Sequence, residues 1–312
     1  MEAVDFDEYL AALLHAPRPH TGVLAFYDHR VGRICADQRL LLLPLDDHLC
    51  LRGDGLFESL ACRERTVFAL DGHLARLREG AAALRLRPPC SWEEVRARIM
   101  DVARASGRDD CGLRVLLGRG PGGFGIAPSE CPVSSLYIVA LESAPTRREV
   151  LEKGLSAFAS AIPPKQPYLA RIKSNNYLPN VLMAQEAAER GLDVAIAFDG
   201  QGRMCEAAIA SVGIVNEAGA LVCPPPERIL EGTSMLAALA AARKAGMSAL
   251  RRDVTRGDIA RAREMLLFTS ASLCLSLTSF DGIPVGCGKP GPVAPLLREE
   301  MLRAMLREGA SF

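Results

Sequence analysis

The sequence predicts an α+β fold in two parts, with short strands that pair mainly antiparallel and helices at the periphery. Three observations lead to this prediction. Short apolar runs are separated by turn residues, as in antiparallel strands. Helix signals interrupt these runs without the regular strand–helix alternation of a parallel sheet. The 312 residues, 49% of them hydrophobic, are sufficient for one large or two medium domains with buried cores.

The composition excludes several classes of protein. The 37 basic and 37 acidic residues give a net charge of zero, which argues against nucleic acid or an anionic membrane as the main partner. The hydrophobic content excludes a disordered chain, and 20 prolines with 27 glycines exclude a coiled coil. The acidic N-terminus lacks the features of a signal peptide, and no apolar run has membrane-spanning length. The ten cysteines show no metal-ligand spacing, so we expect a cytoplasmic protein with reduced thiols and no metal.

The first part of the chain, residues 1–142, contains strand signals around two long helices. The runs at 56–62 and 66–70 flank a three-residue turn and predict a hairpin. Asp71 is expected to cap the first long helix, and Ser91 with Glu94 has the capping-box spacing for the second. The remaining predicted elements are a helix at 7–14 and strands at 22–34, 39–45, 112–117 and 135–141.

The second part, residues 147–312, follows a linker predicted at 142–146. Its strands are short and regularly interrupted by turn residues, which is typical of a barrel-like domain with peripheral helices. The predicted helices lie at 178–190, 233–246 and about 293–307. The predicted strands lie at 194–198, 203–206, 211–215, 221–223, 265–269 and 274–280.

A lysine and a glutamate of this second part are candidates for chemistry. Only five of the 37 basic residues are lysines, and Lys173 stands in a polar stretch just before an apolar helix. A nucleophilic lysine must be partly desolvated, whereas a surface lysine would be solvated. Glu206 ends a strand and precedes small apolar residues. It lies either at a surface edge or buried against a cationic partner.

Two hydroxyl-rich turns are candidates for binding a phosphate. Gly232, Thr233 and Ser234 begin an alanine-rich helix, where free N–H groups, the helix dipole and hydroxyl donors suit an anion. An ordinary N-cap is the alternative interpretation. The segment 269–272 follows a strand and has the same ambiguity.

Taken in order, these features resemble the class IV, or fold-type IV, pyridoxal-phosphate enzymes. This family includes branched-chain and D-amino-acid aminotransferases, (R)-selective amine transaminases and aminodeoxychorismate lyase. The resemblance implies an N-terminal sandwich-like α/β domain over 1–142 and a C-terminal barrel-like α/β domain over 147–312 that carries the lysine. It covers about residues 20–300 and depends on GDGLFES at 53–59, HLARL at 73–77, KSNNYL at 173–178, EA at 186–187 followed by Gly191, Glu206, GTS at 232–234 and DG at 281–282.

The resemblance implies a role for each candidate residue. Lys173 would form a Schiff base with pyridoxal 5′-phosphate and carry the proton between the substrate Cα and the cofactor C4′. Glu206 would pair with the pyridinium nitrogen, so that the protonated ring can accept negative charge. Tyr177 would hydrogen-bond the phenolic oxygen of the cofactor. Arg76 would bind the cofactor phosphate bidentately. Thr233 and Ser234 would supply backbone N–H groups and hydroxyls to it, and Ser270 and Ala271 would add a second set.

Motifs for the substrate point in more than one direction. The segment GLRV at 112–115 resembles the branched-chain aminotransferase strand whose arginine helps to receive the substrate carboxylate, so Arg114 and Phe57 are the expected substrate residues. The loop 118–125 is more similar to the lyase motif RGxGGRG, but Phe124 replaces its second arginine. Ala207 stands where the family usually has glycine after the glutamate. The Arg-x-His motif of the D-amino-acid aminotransferases is absent.

The sequence therefore predicts a pyridoxal-phosphate-dependent aminotransferase. It would move an amino group between an amino acid, with branched-chain amino acids as candidates, and a 2-oxo acid. The alternative is an elimination of the aminodeoxychorismate lyase type that releases pyruvate. A third hypothesis is a fold homologue without catalysis. The resemblance also implies a homodimer with small-molecule substrates.

Overall fold

Two sheets organise the chain in the computed structural model, which describes residues 3–17 and 22–312. The strands are β1 (Val23–Asp28), β2 (Arg33–Cys35), β3 (Gly55–Arg63), β4 (Thr66–Val67), β5 (Cys111–Gly118), β6 (Ser135–Leu141), β7 (Leu155–Ala159), β8 (Val194–Phe198), β9 (Met204–Ala207), β10 (Ser211–Val215), β11 (Leu221–Cys223), β12 (Ala249–Arg251), β13 (Glu264–Thr269), β14 (Leu273–Phe280), β15 (Ile283–Pro284) and β16 (Ala310–Ser311).

Ten α-helices lie within the same described residues. They are α1 (Phe6–His15), α2 (His48–Leu51), α3 (Leu70–Ala83), α4 (Trp92–Ala105), α5 (Arg148–Lys153), α6 (Pro167–Ala170), α7 (Leu178–Arg190), α8 (Thr233–Lys244), α9 (Arg256–Ala260) and α10 (Val293–Glu308). Over residues 3–17 and 22–312, no helix is both long enough and apolar enough to cross a membrane.

The order of the strands confirms the predicted α+β class. The first sheet has the order β16-β4-β3-β5-β6-β1-β2, and its described pairings are antiparallel. The second sheet has the order β12-β11-β10-β13-β14-β7-β8-β9, with β15 paired to β14. It is mixed, because β7 runs parallel to both of its neighbours. The predicted linker at 142–146 follows the end of β6, and β16 returns the end of the described chain to the first sheet.

Strand alternation in the first sheet separates its core from a second, polar face. On β3, the even-numbered Leu56 and Leu60 pack with α3 in the buried core, because successive side chains point to opposite faces of a strand. On β5, Leu113, Val115 and Leu117 are at most 2% exposed and face the same core. Burying each of these side chains contributes about 1.5–3 kcal/mol to folding. The odd-numbered positions of β3 and the even-numbered positions of β5 therefore face the other way.

The core of the second sheet is formed by its strands and the helices that pack on them. The helices α8 and α10 pack together against this sheet, and Met235, Leu239 and Leu297 are buried between them and the strands. A second cluster, which includes Ile196, Ile214 and Met265, fills the inside of the curved sheet. The first turn of α8 lies beside α3, where Thr233 contacts His73.

Three local predictions for the first part were wrong. The predicted strand at 22–34 is a hairpin, because the chain reverses where Gly32 adopts φ +67° and donates to the Asp28 carbonyl. The run 39–45 forms no strand, since Asp37 caps a 3₁₀ turn at Gln38–Leu40 and Pro44 lacks a backbone donor. Asp71 does not cap α3, which begins at Leu70 after a left-handed Ala69.

Candidate active site

A cavity of about 410 Å³ lies between the first sheet and the start of α8. Its wall combines side chains from β3, β5, β9 and the ends of several helices. The structure brings together in this one cavity every residue for which the sequence suggested a role. These residues are Phe57, Arg76, Arg114, Lys173, Tyr177, Glu206, Thr233, Ser234, Ser270 and Ala271.

Lys173 is held in the cavity by its own backbone. The start of β3 has no partner strand on one side, because β4 is short and pairs only near the other end of β3. The lysine segment occupies that edge: Phe57 N donates to the Lys173 carbonyl (3.0 Å), and Asn175 N donates to the Gly55 carbonyl (3.0 Å). The amine therefore projects into the cavity from a fixed backbone position.

The surroundings of Lys173 favour its neutral form. Burial lowers the pKa of the Lys173 amine to about 8, with a further decrease from Arg76 and an opposing effect of Glu58 and Glu206. Its Nζ lies 4.4 Å from the centre of the Phe57 ring and 6.0 Å from that of Tyr177. A lysine in this environment is far more often unprotonated near neutral pH than a solvated one.

We expect this pKa to be visible in competitive acetylation of the cofactor-free protein with acetic anhydride. The reactivity of Lys173 should rise with pH to a plateau with a midpoint of about 8. Lys153 is the internal control, because its hydrogen bond to Glu149 raises its pKa above the usual lysine value. Mass spectrometry of both labelled peptides measures the two profiles. Identical profiles would contradict the desolvated site.

Glu206 faces the cavity without a cation to neutralise it. One carboxylate oxygen accepts a hydrogen bond from Leu230 N (3.3 Å). In the part of the chain that the structure describes, it forms no ion pair with an arginine or lysine. Burial raises its pKa to about 7, and the more distant Lys165 and Lys173 only partly oppose this effect. The carboxylate is therefore poised to interact with a cationic or proton-donating ligand atom.

Arg76 is fixed by a buried carboxylate behind the cavity wall. Its Nε and Nη2 donate to the two oxygens of Glu58 (2.8 and 2.6 Å), and its Nη1 donates to the Glu231 carbonyl (2.9 Å). Glu58 is only 2% exposed. Burial opposes its ionisation, but the hydrogen bonds from Arg76 and His73 lower its pKa to about 2. The forked face of Arg76 is thus occupied by Glu58 and is not free for a bidentate contact with a phosphate, although Arg76 lines the cavity and one N–H on each of its two terminal nitrogens is left unused by these bonds.

His73 links this carboxylate to the first turn of α8. Its Nδ1 lies 2.6 Å from a Glu58 oxygen, and its Nε2 lies 3.2 Å from the Thr233 hydroxyl. Burial lowers the pKa of His73, so the imidazole is neutral near neutral pH. A carboxylate only accepts, so Nδ1 carries the proton and Nε2 accepts from Thr233. The Thr233 hydroxyl proton is therefore already used, although its backbone N–H stays free for a ligand.

The start of α8 presents unused donors to the cavity. Leu236 N donates to the Gly232 carbonyl (3.0 Å), so the N–H groups of the three preceding residues come before the first bond of the helix. The Ser234 hydroxyl is buried and has no partner among the described residues. A Cβ at Gly232 would overlap the Ser211 hydroxyl, so a larger residue there would require the Ser211 side chain to turn away. Ser270 and Ala271, in the turn between β13 and β14, line the same cavity.

The opposite wall is aromatic and carries a second arginine. The rings of Phe57 and Tyr177 meet edge to face with centres 4.9 Å apart. Arg114 comes from β5 directly opposite Ser59, and its guanidinium carbon lies 5.3 Å from the Phe57 ring centre. Burial lowers the pKa of Arg114, and burial raises that of Tyr177 to about 12. Arg114 forms no ion pair among the described residues.

Three titratable residues of this site have no role predicted from the sequence. Glu58 and His73 lie within the motifs at 53–59 and 73–77. Two signals could have found them: the i, i+3 spacing of His73 and Arg76 on one helix, and the core-facing position of Glu58 on β3. Lys165 also lines the cavity. Its proline-rich segment gave no signal of burial.

Sequence and structure comparisons agree on one class of protein. The family model for amino-transferase class IV matches residues 55–280. A chloroplastic D-amino-acid transaminase from Arabidopsis thaliana is 32% identical over 288 residues, covering 90% of this chain and 76% of the relative. A branched-chain-amino-acid aminotransferase from Salmonella typhimurium is 28% identical over 262 residues, covering 81% of this chain and 84% of the relative. The crystal structure of the Escherichia coli branched-chain amino acid aminotransferase has a TM-score of 0.84 at 25% identity, covering 91% of this chain and 95% of that one. The chain belongs to the class IV aminotransferases.

This membership defines the reaction class and the cofactor. The protein is a pyridoxal-phosphate-dependent aminotransferase with the fold-type IV architecture, as the sequence predicted. A further branched-chain amino acid aminotransferase, solved with pyridoxamine 5′-phosphate, shares this fold with a TM-score of 0.86 at 24% identity, covering 92% of this chain and 95% of that one. None of these findings supports the lyase alternative.

The cavity has the donors that this cofactor requires. The unpartnered Ser234 hydroxyl and the free N–H groups at the start of α8 suit a phosphate. The desolvated amine of Lys173 suits an aldehyde carbon, and the carboxylate of Glu206 suits a protonated ring nitrogen. The residues present therefore fit pyridoxal 5′-phosphate.

Proposed function

We propose that this protein transfers the amino group of an aliphatic, branched-chain type of amino acid to a 2-oxo acid. The observation that carries the proposal is one cavity in which Lys173, Glu206 and the α8 donors face an apolar wall and the unpaired Arg114. The wall includes Phe57 and Ile172, which suit an aliphatic side chain. The branched-chain aminotransferases among the relatives support the same substrate class.

Each residue of the reaction centre then has a stated task. When bound, pyridoxal phosphate supplies an electron sink for the charge that develops at the substrate Cα. Lys173 Nζ would hold the cofactor covalently at rest and would carry the α-proton during transfer. Glu206 holds a proton at the ring nitrogen, which maintains the ring as a cation. Tyr177 donates its phenolic proton toward the oxygen substituent of the ring.

The phosphate end is assigned to donors from three elements. Ser234 offers both its N–H and its hydroxyl, which has no other partner among the described residues. Thr233 offers only its N–H, because its hydroxyl donates to His73. Arg76 offers the N–H donors that Glu58 and the Glu231 carbonyl leave free. The N–H groups of the 270–271 turn complete the set.

Arg76→Ala is expected to weaken cofactor affinity by about 1.5–3 kcal/mol, the range for hydrogen bonds to charged groups. The variant removes donors to the phosphate and leaves Glu58 with His73 as its remaining partner. Titration of the cofactor-free protein with pyridoxal phosphate measures the effect. Arg78→Ala is the matched control, because Arg78 lies on the same helix but is exposed and pairs with Glu93. Equal affinities for the two variants would contradict the assignment.

Substrate recognition depends on Arg114 and Phe57. Arg114 has a guanidinium without an anionic partner at the open side of the aromatic wall, so it is available for the substrate carboxylate. Phe57 shapes the adjoining apolar surface and keeps water from the Lys173 amine, which lies 4.4 Å from its ring centre.

A spectroscopic half-reaction screen tests the proposed function. The holoenzyme is mixed with L- and D-isomers of branched-chain, small and acidic amino acids, and the conversion of the cofactor to its amine form is followed. Transfer predicts stoichiometric conversion with release of a 2-oxo acid, and the fastest rates for branched-chain donors. Pyruvate release from aminodeoxychorismate without conversion of the cofactor would instead indicate the lyase reaction.

We further propose that the protein is a cytoplasmic homodimer. Two large apolar side chains are exposed, Leu45 at 72% and Phe124 at 68%. Their segments are neighbours, because Gly122 N donates to the Asp46 carbonyl. Exposed apolar side chains that lie close together are typical of a contact surface for another protein chain. None of the ten cysteines, all of them in the described residues, forms a disulfide, which accords with a reducing compartment. Light scattering after gel filtration tests the dimer, and Phe124→Ser should shift it toward the monomer.

A further inference from the structure

A closed ring of hydrogen bonds joins α3, β3 and the short segment that leads into α8. His73 accepts from the Thr233 hydroxyl (3.2 Å) and donates to Glu58 (2.6 Å). Glu58 also accepts from Arg76, which donates through Nη1 to the Glu231 carbonyl (2.9 Å). Glu231 and Thr233 are only two residues apart in the chain, so α3 holds the segment 231–233 at two points.

The members of this ring are shielded from solvent. Glu58, His73 and Thr233 are at most 8% exposed. Within residues 3–17 and 22–312, the Thr233 hydroxyl is the hydrogen-bond partner of His73 Nε2. A buried polar atom that loses its partner costs free energy, so the ring favours one position of the Thr233 side chain. Because a β-branched side chain has few rotamers, this position also fixes the backbone of Thr233.

Charge alone gives the phosphate end of the cavity little attraction for an anion. The fork of Arg76 is occupied by the ionised Glu58, so the two charges offset each other, and His73 is neutral. Binding of a phosphate there depends instead on the N–H groups of Thr233 and Ser234, which begin α8. Hydrogen bonds weaken steeply as their angle departs from linearity, so the orientation of these N–H groups matters.

The segment before α8 also contacts the second sheet. Leu230 N donates to Glu206 of β9 (3.3 Å), and the backbone of Gly232 lies directly against the Ser211 side chain of β10. One short segment therefore connects the carboxylate assigned to the ring nitrogen with the donors assigned to the phosphate. The hydrogen bonds from α3 fix this segment between its two ends.

We propose that His73 and the hydroxyl of Thr233 are positioning residues for the phosphate of the cofactor. Their hydrogen bond fixes the segment 231–233 and thereby directs the N–H groups of Thr233 and Ser234 at the phosphate. Neither the imidazole nor the Thr233 hydroxyl contacts the phosphate itself. This inference rests on the phosphate donors assigned under the proposed function, and it does not depend on which amino acid reacts.

The affinities of the cofactor-free, full-length protein for pyridoxal phosphate and for pyridoxal test this role. Pyridoxal lacks the phosphate but has the same ring and aldehyde, so it reports on the contacts of Lys173 and the ring alone. Thr233→Val should weaken pyridoxal phosphate binding by about tenfold, the effect of losing one hydrogen bond and leaving a buried nitrogen unpaired. Pyridoxal binding should stay within about twofold. Thr233→Ser, which keeps the hydroxyl, should restore most of the affinity for pyridoxal phosphate.

A double-variant cycle tests whether His73 and Thr233 act through the same bond. In His73→Asn, the shorter side chain can still donate to Glu58 but does not reach the Thr233 hydroxyl. It should weaken pyridoxal phosphate binding by about tenfold, as Thr233→Val does. The variant with both changes should also lose about tenfold, rather than about a hundredfold, because the two changes remove one shared interaction.

The outcomes separate positioning of the phosphate from a general structural role. Equal weakening of pyridoxal phosphate and pyridoxal by Thr233→Val would overturn the proposal, because it would show an effect on the fold or on Lys173. Unchanged binding of pyridoxal phosphate would overturn it as well, and so would additive losses in the double variant. If the holoenzyme shows no half-reaction with any amino acid, the proposed function fails, whereas the two titrations still decide the role of His73 and Thr233.

Discussion

Lys173→Ala is expected to reduce the rate of the first half-reaction by about a thousandfold or more, the upper part of the range for a positioned acid–base group. The variant loses both the covalent link to the cofactor and the amine that carries the α-proton. The phosphate donors at α8 and Arg76 are unchanged, so the cofactor should still bind without a covalent bond. Borohydride reduction followed by mass spectrometry should label Lys173 in the unaltered protein and no lysine in the variant.

Two comparisons make the Lys173 prediction specific. Lys289→Ala should react and be labelled like the unaltered protein, because Lys289 is exposed and outside the cavity. If Lys165 in the Lys173→Ala variant were labelled as fully as Lys173 is in the unaltered protein, the two cavity lysines would be interchangeable. In that case the assignment of Lys173 as the attachment residue would be wrong.

Glu206→Gln is expected to raise the free-energy barrier to Cα deprotonation by about 3 kcal/mol. This is comparable to the loss of a preorganised electrostatic contact. Glutamine keeps the shape of the side chain and an oxygen that can accept from Leu230 N, but the negative charge beside the ring is lost. Without that charge the protein would no longer hold a proton at the ring nitrogen, and the charge that develops at the substrate Cα would be less well stabilised. The first half-reaction rate at saturating cofactor measures this effect, with Glu227→Gln as an exposed control.

The pH dependence gives a second test of Glu206. Burial raises its pKa to about 7, so the carboxylate becomes protonated as the pH falls through that value in the cofactor-free protein. Cofactor affinity should therefore fall on the acid side of about 7, because the protonated acid no longer stabilises a cationic ring. Glu206→Gln should have a lower affinity that does not show this fall. A persistent fall in the variant would assign the titration to another group.

Elements whose ends depend on neighbouring residues could be predicted from the sequence. The reciprocal hydrogen bonds of Ser91 and Glu94 begin α4 as expected. Gly191 ends α7 in the left-handed conformation, which glycine adopts without strain. The strands β3 and β4 form the predicted hairpin. In each case the deciding interactions connect residues close together in the chain.

Elements that depend on distant contacts could not be predicted in this way. The apolar run 39–45 has strand composition but no neighbouring strand to pair with. The strand β7 was not predicted, and its partners β8 and β14 lie more than thirty residues away in sequence. The candidate site shows the same division. Ordered motifs led to Lys173 and Glu206, whereas the role of Glu58 arises from a helix that packs over its strand.

The hydrogen-bonded chain from Glu58 through His73 to Thr233 has a consequence for the cooperativity of unfolding. It joins a strand of the first sheet to the first turn of α8, which packs on the second sheet. Separating the sheets would break the Thr233–His73 hydrogen bond and that from Arg76 to the Glu231 carbonyl, each worth about 0.5–3 kcal/mol, and would expose Phe68, which precedes α3 and packs in the core of the second sheet. Both sheets should therefore melt in one calorimetric transition, with equal calorimetric and van't Hoff enthalpies. Cofactor bound at α8 would then raise the melting temperature of the whole chain rather than that of one half.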